Sequence, residues 1–409
     1  MTYFKNTELA SRYNISESTV RNWIKMAKDG RLDLTLTKAN GRDYVANSVN
    51  NIPLVEKLVE KNRKYRNTLA AKVVVPRPEF YKVFNQGQVY DIVRNLELHH
   101  EIPRQYNYFD GGAEEWDRYV EELAAEKTPN LLSATVELIE VNLGYLDKHL
   151  IHFDRVNVVD IGVGNALPAK GLLEHLLKLG KLGRYVALDI SPEMLEIAER
   201  NIKMWFDDKV AYEGYELDIT HERFANILAE DYLRKSGEQS VNFLLFMGGT
   251  ADNLRIPDDA FRTINESMNP HDLLVYPNKL ETSDMQPEWF NFDHKPGKLR
   301  LADRHRLVFD LLDIDESFYD VEIGFDVAKS QRYARTRLKM SLTIKFDFEE
   351  GERILEFEKG DVILLWRSQQ MSVEDVTNQL GKNGFYMLHS SQTEDHEYIL
   401  TVAEVKRGL

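Results

Sequence analysis

The 409-residue chain predicts an α/β fold built on a Rossmann-like, doubly wound sheet, with an α+β lobe after it and a winged helix-turn-helix before it. Two observations give the sheet. Val156-Asn-Val-Val-Asp-Ile-Gly-Val-Gly-Asn165 is a short β-branched run that turns on two glycines, and Tyr185-Val-Ala-Leu-Asp-Ile-Ser191 is a second such run with an acidic end. Runs of strand character then recur between helical stretches, at Val156–Asp160, Tyr185–Asp189, Ala211–Asp218, Ser240–Phe246 and Leu273–Tyr276. A third observation, a basic N-terminus with helical apolar spacing, sets the first module apart. The expected divisions are 1–70 (helix-turn-helix and linker helix), 71–154 (a helical part), 155–280 (the sheet) and 281–409 (the lobe).

In the first module Leu9 and Tyr13 lie one turn apart on a first helix, Ile15 fills the turn, and Val20, Trp23 and Ile24 face inward from a second helix. Asn14 sits where a left-handed turn residue is expected, and Ser16 is suited to cap the second helix. Ser18, Arg21, Asn22 and Lys25 fall on the outer face, with side chains that reach base edges and phosphates. Residues 31–37 alternate like a strand, and Ala39-Asn-Gly-Arg42 supplies a hairpin turn. Together these residues resemble the winged helix-turn-helix of MerR-type and excisionase-type proteins. That resemblance implies DNA binding through residues 1–50, with a homodimer reading two half-sites as the working form. Packing or assembly is the competing role of the same module.

The body begins with helices expected over Phe80–Asn95, Ala113–Glu126 and Leu131–Leu150. After the first strand, Gly162 and Gly164 let the backbone pass close to a ligand. Asp160 ends that strand, and Asp189 ends the next, where an acidic residue accepts from ribose hydroxyls. A dinucleotide wants a third glycine for its pyrophosphate. Here Gly164 is followed by Asn165-Ala-Leu-Pro-Ala169, so the pattern points instead to S-adenosylmethionine. Asp218 reads in two ways, as an acceptor for the adenine amino group or as a cap for the segment after it. The paired glycines Gly248 and Gly249 expose backbone amides, with Thr250 and Asn253 as neutral polar groups beside them.

Composition excludes several classes. There is no cysteine, hence no disulfide framework and no thiolate metal site, and no metal is expected. No apolar run reaches membrane-spanning length and Met1-Thr-Tyr-Phe-Lys5 lacks a signal pattern, so a cytoplasmic location without membrane contact is the expectation. The first 70 residues carry 13 Lys and Arg against 7 Asp and Glu, a surplus of six positive charges, and the rest of the chain holds a deficit of 21 behind the overall −15. One end can meet nucleic acid while the bulk repels it.

Five segments resemble the histidine-specific Nα-methyltransferases of ergothioneine biosynthesis: the cofactor strands with their glycine loop, Tyr108-Phe-Asp-Gly-Gly-Ala-Glu-Glu-Trp116, Phe246-Met-Gly-Gly-Thr-Ala-Asp-Asn253, Arg337-Leu-Lys-Met-Ser-Leu342, and the stretch from Lys359-Gly-Asp to Ser368. The likeness covers roughly residues 77 to 407. It implies a class I S-adenosylmethionine-dependent methyltransferase acting on an amino acid or small amine. Asp160, Gly162, Gly164, Asp189, Asp218 and Gly248 would then serve the cofactor. Asn253 would grip the amino acid's amino and carboxylate groups beside Thr250, Tyr108 would act with it, and Trp116, Met340, Trp366 and Ser368 would complete the substrate wall. Two departures bear on the substrate. Asn130-Leu-Leu-Ser133 stands where the family has a paired tyrosine, and Trp366 stands where histidine-specific members place an imidazole-binding glutamate. An indole cannot accept that hydrogen bond, so an acceptor other than histidine is expected. Trp366 also reads as a core residue on a strand. A regulator whose methyltransferase-like body senses a ligand is the alternative function. A nucleic-acid methyltransferase is disfavoured by the acidic body and the missing Asn/Asp-Pro-Pro-Tyr/Phe tetrad.

Overall fold

Alternation along the central strands explains the architecture. In a computed structural model of the protein, which describes residues 3–13, 15–126, 129–234, 239–281 and 299–406, Val156 and Val158 pack to one face of a sheet while Val159 and Ile161 pack to the other. Ser240–Phe246 repeats the pattern, with Phe243 and Leu245 on the first face and Leu244 and Phe246 on the second. Both faces are apolar, so both must be covered. Leu131–His149 and Lys170–Lys178 cover one through Leu138, Leu146, Leu172 and Leu176. Pro257–Ser267 and Val373–Lys382 cover the other through Phe261, Ile264, Val376 and Leu380.

The seven strands run in the spatial order Phe385–Gln392, Tyr398–Val405, Leu273–Lys279, Ser240–Phe246, Arg155–Ile161, Leu182–Asp189, Tyr212–Glu216. The last five are parallel, and Tyr398–Val405 is antiparallel to both of its neighbours. The order reverses at Arg155–Ile161, the switch point where such sheets open a crevice at the strands' carboxyl ends. Asn157 interrupts the β-branched run for a polar reason. Its amide donates to Asn242 Oδ1 (2.9 Å), and Asn242 donates in turn to the buried Asp272 (2.9 Å). A second sheet of Tyr319–Asp326, Gln331–Leu338 and Val362–Gln369 is antiparallel, with Gln331–Leu338 central and Ala334 opposite Trp366.

By contacts the chain divides into two units: Met1–Val73 with Met340–Thr343 and Glu356–Gly360, and the remainder. In the smaller unit helices Asn6–Arg12 and Glu17–Lys28 precede an antiparallel hairpin, Leu36–Ala39 with Arg42–Val45, and the helix Asn51–Ala70. Its core joins Leu9, Val20, Trp23 and Ile24 to Val45, Val55 and Val59. Ser16 caps the second helix by accepting from the Thr19 amide (3.2 Å). Asn14 lies outside the described residues. The first hairpin strand starts at Leu36, five residues later than the alternation predicts. Asn51 is the cause, because its side chain takes the Thr35 amide (3.0 Å) and donates to the Thr35 and Ala46 carbonyls (2.8 Å each). The helix expected over 80–95 is likewise two, Phe80–Val83 and Gln86–His99, separated where Asn85 and Gln88 form a capping box. Among the described residues no helix is long and apolar enough to cross a membrane.

Candidate active site

The carboxyl ends of the parallel strands, the turn Arg104–Tyr108, the helix Gly112–Ala125 and the second sheet enclose a cavity of about 650 Å³ within the larger unit. Gly162 and Gly164 line it in left-handed conformations, φ +68° and +53°. A Cβ on Gly162 would stand 2.9 Å from Thr250 Oγ1, so this glycine permits both the turn and the approach of the fourth strand's loop. Asp160 is buried beneath the loop and accepts from the Tyr185 hydroxyl (2.7 Å). Burial pushes its carboxyl up to about 7 despite that hydrogen bond. Asp189 rises to about 6 through burial, opposed by hydrogen bonds from the amides of Ser191, Gly164 and Ile190. Asp218 lines the cavity and also organises its own turn, one oxygen accepting from Thr220 N (2.9 Å) and Thr220 Oγ1 (2.6 Å). Of its two predicted roles, the local turn is the one with visible partners.

Gly248 and Gly249, φ +71° and +74°, lead into the short helix Thr250–Asn253. Thr250 donates to the Met247 carbonyl (3.1 Å), and Thr250 and Asn253 both line the cavity. Between them Asp252 is 5% exposed, and burial lifts its carboxyl to about 8, with Asn278 as hydrogen-bond partner. Tyr108 and Trp116 meet edge to face, centroids 5.8 Å apart, and form a wall with Trp366 and Ser368. Ser368 accepts from the Gln370 side chain (3.3 Å).

Every residue assigned to cofactor or substrate from the sequence lines this cavity except Met340. Met340 sits at a bend in a segment that groups with the smaller unit, where Lys72 N donates to the Ser341 carbonyl (2.8 Å) and Lys359 N to its hydroxyl (3.3 Å). Those bonds tie the bend to the backbone of the smaller unit itself. Ser18, Arg21, Asn22 and Lys25 are exposed on one face of Glu17–Lys28, with Arg21 paired to Glu17 (2.8 Å). Sequence reasoning missed a set of basic side chains in the cavity: Arg104, Lys279, Arg304 and Arg332, with the neutral His305 among them. Isolated arginines look like solvated surface in a sequence. The one available signal was Arg104, set between Pro103 and the aromatic pair Tyr106 and Tyr108.

Comparison with known proteins gives the class. Residues 90–283 match the family described as histidine-specific methyltransferase, SAM-dependent. No curated protein matches by sequence. Similar solved structures include an S-adenosylmethionine-dependent methyltransferase from Clostridium acetobutylicum ATCC 824 (11% identity, 72% of this chain and 98% of that one, TM-score 0.39). Others are the glycopeptide N-methyltransferase MtfA with S-adenosylmethionine (11%, 69% and 90%, 0.34) and the CMeT domain of the citrinin polyketide synthase (13%, 96% and 79%, 0.40). The chain is a SAM-dependent methyltransferase, and S-adenosylmethionine is its cofactor. The structure suits that cofactor, since the glycine turn and two buried carboxylates at the strand ends line one cavity.

Proposed function

We propose that the protein methylates the nitrogen of an amino acid or small amine other than histidine. The observation that carries this reading is that Thr250 and Asn253 of the Gly-Gly-Thr-x-x-Asn loop line the same cavity as the glycine turn and Asp189. The bound cofactor supplies an electrophilic methyl group on a sulfonium whose thioether leaves without needing an acid. The chain therefore has to place the amine in line, exclude water and keep the nitrogen unprotonated. Asn253, with one amide donor end and one carbonyl acceptor end, can hold a carboxylate and an amine together. Tyr108 and Trp116 form the apolar wall that displaces water. Asp252, lifted toward the pKa range of amines, can take the ammonium proton, leaving a lone pair for attack and itself neutral. After transfer the methylated ammonium departs and Asp252 returns its proton to solvent.

Histidine fits poorly because the acids in the cavity wall are Asp160, Asp189, Asp218 and Asp252, all at the strand ends, while Trp366 is flanked by Arg332 and His305. The N-terminal unit is proposed as a DNA-binding or assembly module of winged helix-turn-helix type, supported by its helix pair, its hairpin and the exposed Arg21 and Lys25. A mass-spectrometric screen of amino acids and biogenic amines with S-adenosylmethionine tests the enzyme reading. A methylated product lost in Asn253→Ala supports it. Cofactor binding without any product moves the weight to a ligand-sensing regulator.

A further inference from the structure

The basic side chains of the cavity form a connected cluster. Arg104 is 7% exposed, donates from Nε to the Tyr108 hydroxyl (3.0 Å), and lies over the rings of Tyr108 (5.3 Å) and Trp116 (5.4 Å). Its Nη1 meets Nδ1 of His305, whose ring is 6.2 Å from Trp366. Arg332 lies over the other ring of this contact, 5.5 Å from Trp366, and Arg304 stacks on Tyr119 at 4.1 Å. Burial and the neighbouring Arg104 charge lower the basicity of Arg304, and burial with the charges of both arginines pushes His305 down to about 2. His305 is therefore neutral and accepts from Arg104 rather than adding charge.

Among the described residues no carboxylate lies within ion-pair distance of Arg104 or Arg304, and the acid that Arg304 feels at longer range, Glu122, is exposed. Holding such cations out of water without a counter-charge is costly. Stacking on Tyr119 leaves the edge of the Arg304 guanidinium available for the two parallel hydrogen bonds that a planar oxyanion accepts, while Arg104, engaged through Nε and Nη1, keeps Nη2 for one more.

We infer that the acceptor carries, besides the amine and the carboxylate assigned to Asn253, a second oxyanion, carboxylate or phosphate, received by Arg104 and Arg304 with Arg332 adding positive field. This deepens the amine-methyltransferase reading and rests on it. Arg104 and Arg304 then determine specificity by selecting anionic amines, because a neutral isostere would leave these two cations without a counter-charge.

Calorimetric titration of the full chain saturated with S-adenosylhomocysteine tests this, using glutamate against glutamine and O-phosphoserine against serine. One anionic member should bind about tenfold or more tightly than its neutral partner. Which pair discriminates names carboxylate or phosphate. In Arg304→Gln, and separately in Arg332→Gln, that preference should shrink to about twofold or less while S-adenosylhomocysteine affinity stays unchanged. Equal binding of the isosteres, an unaltered preference in both variants, or no probe binding by cofactor-saturated protein would overturn the inference and leave the methyltransferase class intact. So would a loss of S-adenosylhomocysteine affinity in Arg304→Gln, which would assign the cation to the cofactor's own carboxylate. Failure of the parent protein to bind S-adenosylhomocysteine would instead remove the reading on which the inference stands.

Discussion

The Tyr185 hydroxyl donates a 2.7 Å hydrogen bond to Oδ2 of Asp160, joining the neighbouring parallel strands Leu182–Asp189 and Arg155–Ile161 beneath the glycine turn. Both side chains are buried, so the bond sets the position of a carboxylate that water cannot solvate. Tyr185→Phe should destabilise the protein by about 1–3 kcal/mol in urea unfolding and weaken S-adenosylmethionine binding. Unchanged stability and affinity would mean that Asp160 is positioned by packing alone.

Gly162→Ala should cost cofactor affinity about tenfold or more, because φ +68° is strained for a side chain and the new Cβ would press on Thr250. Circular dichroism should remain that of the parent, since the fault is local. Equal affinity in calorimetry would show that the loop is not a cofactor cradle.

Asp252 provides a pH test. Its folded pKa, about 8, lies above the ordinary 3.8, so between those values the folded chain holds a proton that the unfolded chain has released. Its stabilising contribution is complete below the ordinary value and is lost as pH rises through about 8. Asp160 and Asp189, raised to about 7 and about 6, act with the same sign. Thermal unfolding should therefore show stability falling as pH rises from 4 to 9, and Asp252→Asn should flatten the upper part of the curve. The methylation rate should climb with pH and level off above about 8, with the climb absent in Asp252→Asn.

How the sequence announced this site, and where it was silent, follows from the range of the interactions. The strand from Arg155 and the loop at Gly162 and Gly164 were legible because alternation and glycine chemistry are local. Ser240–Phe246 appears at its predicted bounds for the same reason. Tyr398–Val405 inserting antiparallel beside Leu273–Lys279 was not legible, since that pairing joins segments more than a hundred residues apart. Asn51 delaying the first hairpin strand is a tertiary override of a local pattern. Arg104 and His305 meet across some two hundred residues, and no spacing rule connects them.

Arg21→Ala with Lys25→Ala should weaken DNA binding if the exposed face of Glu17–Lys28 meets phosphates. The slope of log affinity against log salt should become shallower by about 0.9 for each contact removed. A parent protein that fails to bind DNA even at low salt would assign the N-terminal unit to assembly instead.

The most direct test supplies S-adenosylmethionine bearing a deuterated methyl group to the protein in one vessel with a pool of amino acids, anionic amines and duplex DNA, followed by mass spectrometry of each fraction. Label is expected on the nitrogen of a small anionic amine and on nothing else, with the signal lost in Asn253→Ala. Label recovered in the DNA, or in small molecules at undiminished yield from Asn253→Ala, would contradict it.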